Sequence, residues 1–495
     1  MATPRIAIIG AGVCGIGAAA RLARAGIRSF QIFDSATRVG GTWNQNHYPG
    51  ASVDVPSILY QYSFKNHHWR RTHATQVELL AYLEEVVADY GLARHLRLGT
   101  AVEQVAWDDG LNCYWLTTAS GETQEFDIVV SAVGFLDVPN MPTWPGLEDF
   151  VGDVFHTAAW DHKVDLRGKR VAVVGVGSSA TQVVPAIQPE VEHIYVFQRE
   201  PGWVLPRMSH TYTPEELSHL AAPWRRKLER LKMIISYERS YVGGPVYVAG
   251  SKRNLEAECA SREYIKEVFK DRPGLREAVT PSYVFSGKRR ILSDDYYPSL
   301  LNDNVQLIAC PVASATEKGI VDASGDEYAV DVIIIATGFT AWRYLAKLRV
   351  IGRSGIELHD VWDKGAFALN GMTVPGFPNF YMLYGPNTNG AGAISAHWIA
   401  EQGAIRILRD ITRMRRNRYA FIDTRKSVTA LYNHWLQQRL RATAWSQANN
   451  YMRAESGKIV TQFHGSMTLR WLLLHVLQPL GTYGIRSNGS TRSYR

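Results

Sequence analysis

The stretch Arg5-Ile-Ala-Ile-Ile-Gly10-Ala-Gly12-Val-Cys-Gly15 decides the fold of this chain. Its apolar run from Arg5 to Ile9 is typical of a short strand that is buried on both faces of a parallel sheet. The three glycines permit a tight turn into a helix and a close approach of the backbone to a pyrophosphate group. The stretch therefore predicts the strand, turn and helix that open a dinucleotide-binding α/β unit.

An acidic residue lies at the position where a dinucleotide-binding unit requires one. The next predicted strand, from Ser29 to Phe33, is followed by Asp34, about twenty residues after Gly15. A carboxylate at this place accepts hydrogen bonds from a ribose hydroxyl. We therefore expect the first site to bind a nucleotide whose ribose carries a free hydroxyl group. Further on, the apolar residues from Glu125 to Gly134 predict another buried strand that leads into a glycine turn.

A second fingerprint of the same kind follows the strand predicted from Arg170 to Val174. Its turn reads Gly175-Val-Gly177-Ser178-Ser179-Ala180, in which Ala is a permitted variant of the third glycine. The next predicted strand is followed by Arg199, so the charge at this place is the reverse of that at Asp34. An arginine can hold a 2′-phosphate with two hydrogen bonds, which predicts NADPH at this site. The alternative is a solvated cation at the end of a strand.

Two dinucleotide sites in one chain usually exchange electrons, and FAD is the natural partner of NADPH because flavin accepts a hydride and can then react with oxygen. The loop after the first unit combines glycines with aromatic residues, which suits a flat ring system; its candidate residues are Gly41, Thr42, Trp43 and Tyr60. Asp54 lies in the same loop. Its ordinary interpretation is a carboxylate that caps its own backbone, and a role in the site requires a cationic partner.

The composition of the chain limits the other classes of protein to which it could belong. The chain has 495 residues, 46% of them hydrophobic, and a net charge of +8 spread along its length, so we expect two or three domains and no nucleic-acid partner. The four cysteines are far apart, which argues against a disulfide framework, a dithiol redox site and a metal site. We find neither a signal sequence nor an apolar run of ~18 residues, and therefore expect a cytoplasmic protein without a membrane span. We also expect a monomer or a weak homo-oligomer.

Between the two fingerprints lies the stretch Phe150-Val-Gly152-Asp-Val-Phe-His156-Thr-Ala-Ala-Trp160-Asp161. It resembles the signature of the type I Baeyer-Villiger monooxygenases, a group of class B flavoprotein monooxygenases. The related N- and S-oxygenating enzymes resemble it up to the histidine but typically end in another aromatic residue. By themselves, His156 and Trp160 would more often form a core pair. We interpret the stretch as a hinge or linker that sets how the two cofactors face each other.

The resemblance covers most of the chain and implies further site residues. Gly287-Lys288-Arg289-Arg290 is similar to a loop of the family whose arginine is catalytic. This implies that Arg289 is the catalytic residue, with Arg290 as the alternative, and that Lys288 is a second candidate for the NADPH phosphate. Asp54 then becomes the acid that orients the arginine.

Two C-terminal segments are also implicated. Asn387 lies in a glycine-rich loop, from Gly385 to Gly392, that is consistent with backbone contacts to flavin. Trp445 resembles the tryptophan of the family's mobile loop, although both of its neighbours differ from the usual ones. A position in the protein core is the alternative for Trp445.

The resemblance implies an α/β fold with two three-layer Rossmann-like domains and a helical insertion. We expect an FAD-binding domain in 1–144 and 337–495, an NADPH-binding domain in 145–212 and 281–336, and the insertion in 213–280, where Thr213-Pro-Glu-Glu216 predicts a helix start. The implied reaction inserts one oxygen atom of O2 beside the carbonyl of a small-molecule ketone, by way of a C4a-peroxyflavin, to give an ester or lactone.

The sequence leaves three alternative functions. The first alternative is flavin-dependent N- or S-oxygenation of an amine or a sulfide. A disulfide reductase is disfavoured because the chain has no dithiol motif. The last alternative is a protein that senses nucleotides and catalyses no reaction.

Overall fold

The computed structural model of the chain describes residues 3–241, 244–390 and 394–486. In chain order, the strands of these ranges are β1 (Ile6–Ile9), β2 (Phe30–Phe33), β3 (Leu96–Arg97), β4 (Val102–Asp108), β5 (Cys113–Thr118), β6 (Thr123–Phe126), β7 (Ile128–Ser131), β8 (Asp153–His156), β9 (Arg170–Val174), β10 (His193–Phe197), β11 (Val204–Leu205), β12 (Ile291–Leu292), β13 (Val305–Ile308), β14 (Val312–Thr316), β15 (Gly319–Asp322), β16 (Glu327–Ala329), β17 (Val332–Ile335), β18 (Arg349–Ile351), β19 (Phe380–Met382), β20 (Asn389–Gly390), β21 (Tyr419–Thr424), β22 (Gln462–Phe463) and β23 (Thr482–Arg486).

The α-helices of the same ranges are α1 (Val13–Arg24), α2 (Thr42–Gln45), α3 (Gln76–Asp89), α4 (Ala180–Ile187), α5 (Pro214–Ala221), α6 (Pro223–Arg239), α7 (Lys252–Val268), α8 (Pro273–Val279), α9 (Tyr296–Ser299), α10 (Leu358–Val361), α11 (Ala396–Asn417), α12 (Lys426–Arg441) and α13 (Met467–Leu472). None of these helices has both the length and the hydropathy of a bilayer span.

The first parallel sheet has the strand order β19-β7-β1-β2-β3. Ile6 and Ile8 of β1 belong to the apolar cluster that also contains buried apolar residues of α1 and α11. Ala7 and Ile9 belong to a different cluster, which the mixed sheet β18-β4-β5-β6 completes on the other side. Successive side chains of a strand point to opposite faces, so the unbroken apolar run of β1 buries both faces, as the sequence predicts.

The second parallel sheet repeats this plan with the order β13-β10-β9-β17-β8. Val171 and Val173 of β9 pack with the residues of α4, whereas Ala172 and Val174 face the cluster that includes Ile320 of β15. The predicted α/β class with two Rossmann-like cores, each built on a parallel sheet, is therefore confirmed. Strand β8, which carries the middle of the Phe150 to Asp161 stretch, lies at the edge of this sheet.

One predicted strand is wrong in extent. The run from Glu125 to Gly134 divides at Asp127: β6 pairs antiparallel with β5 in the mixed sheet, and β7 pairs with β1 in the parallel sheet. The carboxylate of Asp127 accepts a hydrogen bond from the backbone N–H of Arg5 at 2.7 Å, and the N–H of Asp127 donates to the carbonyl of Arg5. These bonds hold the chain where it passes from one sheet to the other.

The segment 213–280 is mainly helical and contains α5, α6, α7 and α8. Helix α5 begins with a reciprocal capping box between Thr213 and Glu216 and with Pro214 in its first turn, as the sequence predicts. The exact limits of the FAD domain, the NADPH domain and the insertion stay predictions.

Candidate active site

The first glycine-rich turn joins β1 to α1 and leaves little room for side chains. Gly10 has a φ of +110°, and a Cβ atom there would lie 2.6 Å from the carbonyl oxygen of Ala132. A Cβ at Gly15 would lie 1.8 Å from the carbonyl oxygen of Gly10. A Cβ at Gly12 would lie 3.2 Å from the Cα of Gly41. Strand and helix therefore approach each other as closely as the dinucleotide fingerprint requires.

The N-terminus of α1 faces the same turn. Gly12 is its N-cap and offers no side chain to the first N–H groups, and the first turn has no acidic residue. Asp34, which follows β2, accepts hydrogen bonds from the N–H groups of Ala11 at 2.6 Å and Ala36 at 2.8 Å. The carboxylate thus lies beside the turn, next to a helix start that suits an anion.

Aromatic residues form one wall beside this turn. The buried indole of Trp43, in α2, donates a hydrogen bond to the hydroxyl of Tyr60 at 3.3 Å, and the two rings meet edge to face with centroids 5.8 Å apart. Burial raises the pKa of the Tyr60 hydroxyl above its ordinary value. Thr42, at the start of the same helix, is exposed. The pair offers apolar surface and one neutral hydroxyl to a ligand.

The second glycine-rich turn, between β9 and α4, has the same construction. Gly175 has a φ of +114°, and a Cβ atom there would lie 2.5 Å from the carbonyl oxygen of Ala336, which follows β17. At Gly177 a Cβ would meet no described atom within 4 Å. Ser178 is exposed, and Ser179 caps α4 without a side-chain hydrogen bond to the helix. The space in front of Gly177 and the uncapped helix start fit a pyrophosphate group.

Two cations lie near the end of β10. Arg199 is exposed, and its guanidinium makes no ion pair with the part of the chain that the structure describes. The ammonium of Lys288 contacts the carboxylate of Glu200, the residue after Arg199, and lies 5.0 Å above the ring of Tyr283. The structure therefore brings both predicted phosphate ligands to one region, and it adds an acid that we did not predict. The only sequence signal for Glu200 is its position beside Arg199.

Asp54 and Arg289, which are 235 residues apart in sequence, form a direct ion pair through the guanidinium Nη2 and the carboxylate Oδ2. The side chains are 27% and 43% exposed, so the pair is anchored in the protein and open on one side. Burial acts to raise the pKa of Asp54, but the charge and the hydrogen bond of Arg289 outweigh it and lower that pKa. The attraction of Asp54 in turn raises the pKa of Arg289. Both groups are therefore charged.

The neighbouring arginine has different surroundings. Burial and the repulsion of Arg289 lower the pKa of Arg290. Within the described ranges Arg290 has no ion pair, although Tyr237, Asp54 and Tyr241 act to raise its pKa. Only Arg289 is thus held by Asp54.

In the Phe150 to Asp161 stretch, packing explains most of the residues. Phe150 and Trp160 are 8% and 7% exposed, and a Cβ at Gly152 would lie 2.2 Å from the carbonyl oxygen of Asp331. Asp161 is exposed, and its carboxylate accepts a hydrogen bond from the N–H of Lys163 at 2.9 Å. These residues fix the path of the chain beside the second sheet.

His156 connects this stretch to the later part of the chain. Its Nδ1 accepts the N–H of Ala158 at 3.0 Å, so the proton is on Nε2, which donates to the carbonyl of Gly338 at 3.1 Å. Burial lowers the pKa of the ring, against the opposing effect of the bond to Gly338. The imidazole is therefore a neutral structural link between the two segments that follow β8 and β17.

The two C-terminal candidates are buried. Asn387 is 2% exposed, and its amide nitrogen donates to the carbonyls of Ile459 and Gln462 at 2.9 Å each, while its Oδ1 has no hydrogen-bond partner within the described ranges. Trp445 is 4% exposed and stacks on Tyr247 with centroids 4.4 Å apart. This contact favours the packing alternative for Trp445. Gly392 of the predicted flavin loop lies outside the described residues.

The fold and the two turns define an oxidoreductase with two dinucleotide sites, and comparisons with known proteins agree with this class. Residues 3–228 match the family described as flavin-binding monooxygenase-like. A Baeyer-Villiger monooxygenase of Streptomyces coelicolor is 38% identical over 93% of this chain and 89% of its own length. Another, of Pseudomonas aeruginosa, is 38% identical over 93% of this chain and 88% of its own length.

Solved structures give the same result. Cyclohexanone monooxygenase from Rhodococcus sp. Phi1, bound to NADP+, has a TM-score of 0.88 at 29% identity and covers 98% of this chain and 99% of its own. A steroid monooxygenase bound to NADP has a TM-score of 0.88 at 28% identity and covers 98% of this chain and 100% of its own. The chain belongs to the family of flavin-dependent Baeyer-Villiger monooxygenases. This confirms the predicted enzyme class and disfavours amine or sulfide oxygenation.

Proposed function

We propose that this chain binds FAD at the first turn and NADPH at the second, and that Arg289 acts on a small-molecule ketone between them. The overall reaction is a Baeyer-Villiger oxidation, in which one oxygen atom of O2 enters beside the carbonyl and an ester or lactone results. The observation that carries the assignment of Arg289 is its ion pair with Asp54, because this pair joins the loop of the first unit to the loop after the insertion.

The first site fits FAD. The close approach of Gly12 and Gly41, the open N-terminus of α1 and the carboxylate of Asp34 suit the pyrophosphate and ribose groups. Trp43 and Tyr60 supply an aromatic wall for a ring system. When bound, flavin supplies the two-electron acceptor that reacts with O2. The buried Oδ1 of Asn387, which lacks a partner among the described residues, is a candidate acceptor for a cofactor N–H group.

The second site fits NADPH. The space before Gly177 and the hydroxyl groups of Ser178 and Ser179 suit the pyrophosphate. Arg199 makes no ion pair within the described ranges, so its guanidinium is available to a 2′-phosphate. Lys288 is the second cation for this phosphate.

Arg289 supplies a permanent positive charge at a place that is open on one side. Negative charge develops on the oxygen of a ketone when its carbonyl carbon is attacked, and a fixed guanidinium stabilises that charge more than it stabilises the neutral ketone. Asp54 holds the guanidinium in one place, so little reorganisation is needed when the charge develops. Asp54 is therefore the residue that positions Arg289.

The wider assignments are part of the same proposal. We assign 1–144 and 337–495 to FAD, 145–212 and 281–336 to NADPH, and 213–280 to a helical insertion. We also propose a cytoplasmic location, which cell fractionation tests, and a monomeric or weakly oligomeric state, which sedimentation tests.

The substitution Arg289→Ala tests the proposal, with Arg290→Ala as the matched control. We expect Arg289→Ala to retain reduction of the flavin by NADPH, followed by absorbance in a stopped-flow instrument, and to lose ester formation, followed by mass spectrometry. Arg290→Ala should retain both reactions. Ester formation that survives in Arg289→Ala but not in Arg290→Ala would transfer the role to Arg290.

The choice of ketone needs a panel of cyclic, aryl and polycyclic compounds, because the structurally similar enzymes are named for cyclohexanone and for steroids. Wild-type protein that purifies without flavin and cannot be reconstituted with FAD would contradict the whole proposal. NADPH consumption that yields only hydrogen peroxide with every ketone would contradict the choice of substrate class.

A further inference from the structure

Helix α6, in the insertion, has two opposite faces with different surroundings. Arg226, Met233 and Tyr237 lie on the inner face: Arg226 is buried, and the other two pack on an apolar cluster of the protein. At 100° per residue, a second row lies on the opposite side of the helix. We call it the outer stripe; it consists of Trp224, Leu228, Leu231 and Ile235, which are 62%, 42%, 51% and 42% exposed.

The charges beside the outer stripe are mostly of one sign. The exposed charged residues of α6 are all basic: Lys227, Lys232 and Arg239. Its two acids are only partly exposed and already have partners. Glu229 pairs with Lys232 at 2.8 Å, and Glu238 accepts the backbone N–H of Met467, at the start of α13, at 2.7 Å. The outer stripe therefore has an apolar centre and a basic margin.

A concavity of about 600 Å³ adjoins one end of the outer stripe. Its lining combines Ile235 with two serines and three cationic residues: Lys232, Ser236, Arg239, Ser240 and Arg253. Arg253, from α7, donates to the carbonyl oxygen of Arg239 at 3.1 Å, which holds the two arginines together. Cations and hydroxyl groups beside apolar side chains suit the phosphate of a lipid headgroup whose acyl chains lie along the stripe.

We propose that the outer stripe of α6 and the adjoining concavity form a docking surface for a membrane that contains anionic phospholipids. The helix would lie in the plane of the interface, with Trp224, Leu228, Leu231 and Ile235 at the level of the headgroups and the first carbons of the acyl chains. A tryptophan and aliphatic residues on one face with lysine and arginine along the border is the pattern of helices that bind in this way. The basic margin favours anionic lipid over zwitterionic lipid.

Flotation of the full-length holoenzyme with vesicles tests this surface. The vesicles contain phosphatidylglycerol and phosphatidylcholine, or phosphatidylcholine alone. We expect binding to the anionic vesicles only, with a loss at high salt concentration, because exposed charges are screened. The double substitutions Leu231→Ser/Ile235→Ser and Lys232→Gln/Arg239→Gln should each reduce the partition coefficient by about tenfold.

Matched controls use exposed residues of the same types on other helices. Leu431→Ser removes an aliphatic side chain that is 70% exposed on α12, and Arg415→Gln/Arg416→Gln removes two exposed charges of α11. Both controls should bind vesicles like the wild type. The proposal is overturned by wild-type protein that does not float with anionic vesicles, or by flotation that the α6 substitutions leave unchanged. It is also overturned by sedimentation that shows a dimer broken by Leu231→Ser/Ile235→Ser, because a second copy of the chain would then cover the stripe.

Discussion

The ammonium group of Lys288 contacts the carboxylate of Glu200, the residue that directly follows Arg199. The charge of Lys288, which we propose as a ligand of the NADPH phosphate, is thus partly neutralised by an acid that follows β10. A 2′-phosphate that binds between Arg199 and Lys288 must approach this carboxylate. We therefore expect the ion pair to weaken the preference for NADPH that the two cations would otherwise give.

Glu200→Gln is expected to tighten NADP+ binding by about threefold to tenfold and to change NAD+ binding little, because it removes a negative charge close to a phosphate that carries nearly two. Titration calorimetry with both nucleotides measures this directly. Arg199→Glu is the control of opposite sign and should weaken NADP+ far more than NAD+. Weaker NADP+ binding in Glu200→Gln would mean that the main effect of Glu200 is to hold Lys288 in position.

Asp54→Asn keeps the size of the side chain but removes its charge, so the guanidinium of Arg289 loses its fixed partner. We expect NADPH to reduce the flavin at a nearly normal rate and ester formation per NADPH to fall by about tenfold or more, because misplacement of a catalytic charge is costly. Ester yield and hydrogen peroxide release, measured in the same reaction, give the ratio of productive to unproductive NADPH consumption. A wild-type ratio would show that Arg289 does not depend on Asp54 for its position.

His156→Asn tests the link between the two segments that follow β8 and β17. An asparagine can still accept the N–H of Ala158 but no longer reaches the carbonyl of Gly338, so we expect a loss of about 1 kcal/mol in the free energy of unfolding near pH 8. Folding lowers the pKa of His156 from its ordinary 6.5, so the unfolded chain binds the proton more readily. The stability that the neutral ring contributes is complete above pH 6.5 and declines as the pH falls below it.

Urea unfolding between pH 8 and pH 5 compares the wild type with His156→Asn. Because only the wild type loses this contribution on acidification, the two stability curves should converge toward low pH. Parallel curves would mean that His156 does not titrate differently in the folded and unfolded chains.

Arg406 and Asp410, on α11, form an ion pair whose side chains are only 4% and 2% exposed. Arg406→Met should destabilise the protein by about 3–5 kcal/mol, because it leaves a buried carboxylate without its cation. The double substitution Arg406→Met/Asp410→Leu should recover most of this loss. Denaturant unfolding of both variants gives the two free energies. Equal losses in both would show that the charges themselves are not the cause.

Local patterns determined a large part of the molecule. The place of Gly15 in the first turn follows from a local contact, because a Cβ there would meet the carbonyl oxygen of Gly10, which lies at the start of the same turn. The capping box of Thr213 and Glu216 joins groups three residues apart, and it forms as predicted. Where the deciding interaction joins residues that are close in sequence, the residue types alone are sufficient to predict the local structure.

Long-range packing decided the rest. The sequence did not indicate that the strand from Glu125 would divide at Asp127, because the bonds responsible are with Arg5. Nor did it indicate that Trp445 would stack on Tyr247, or that Glu200 would meet Lys288. These contacts depend on how separate elements are placed against each other.

The family resemblance alone proposed that Asp54 orients Arg289, and residue types could not have paired two side chains 235 positions apart. The sequence by itself therefore determined the two nucleotide fingerprints, the α/β class and the family signature. Only the tertiary structure decided which charges meet, because an ion pair requires that two groups approach within a few ångströms, and sequence distance does not limit that approach.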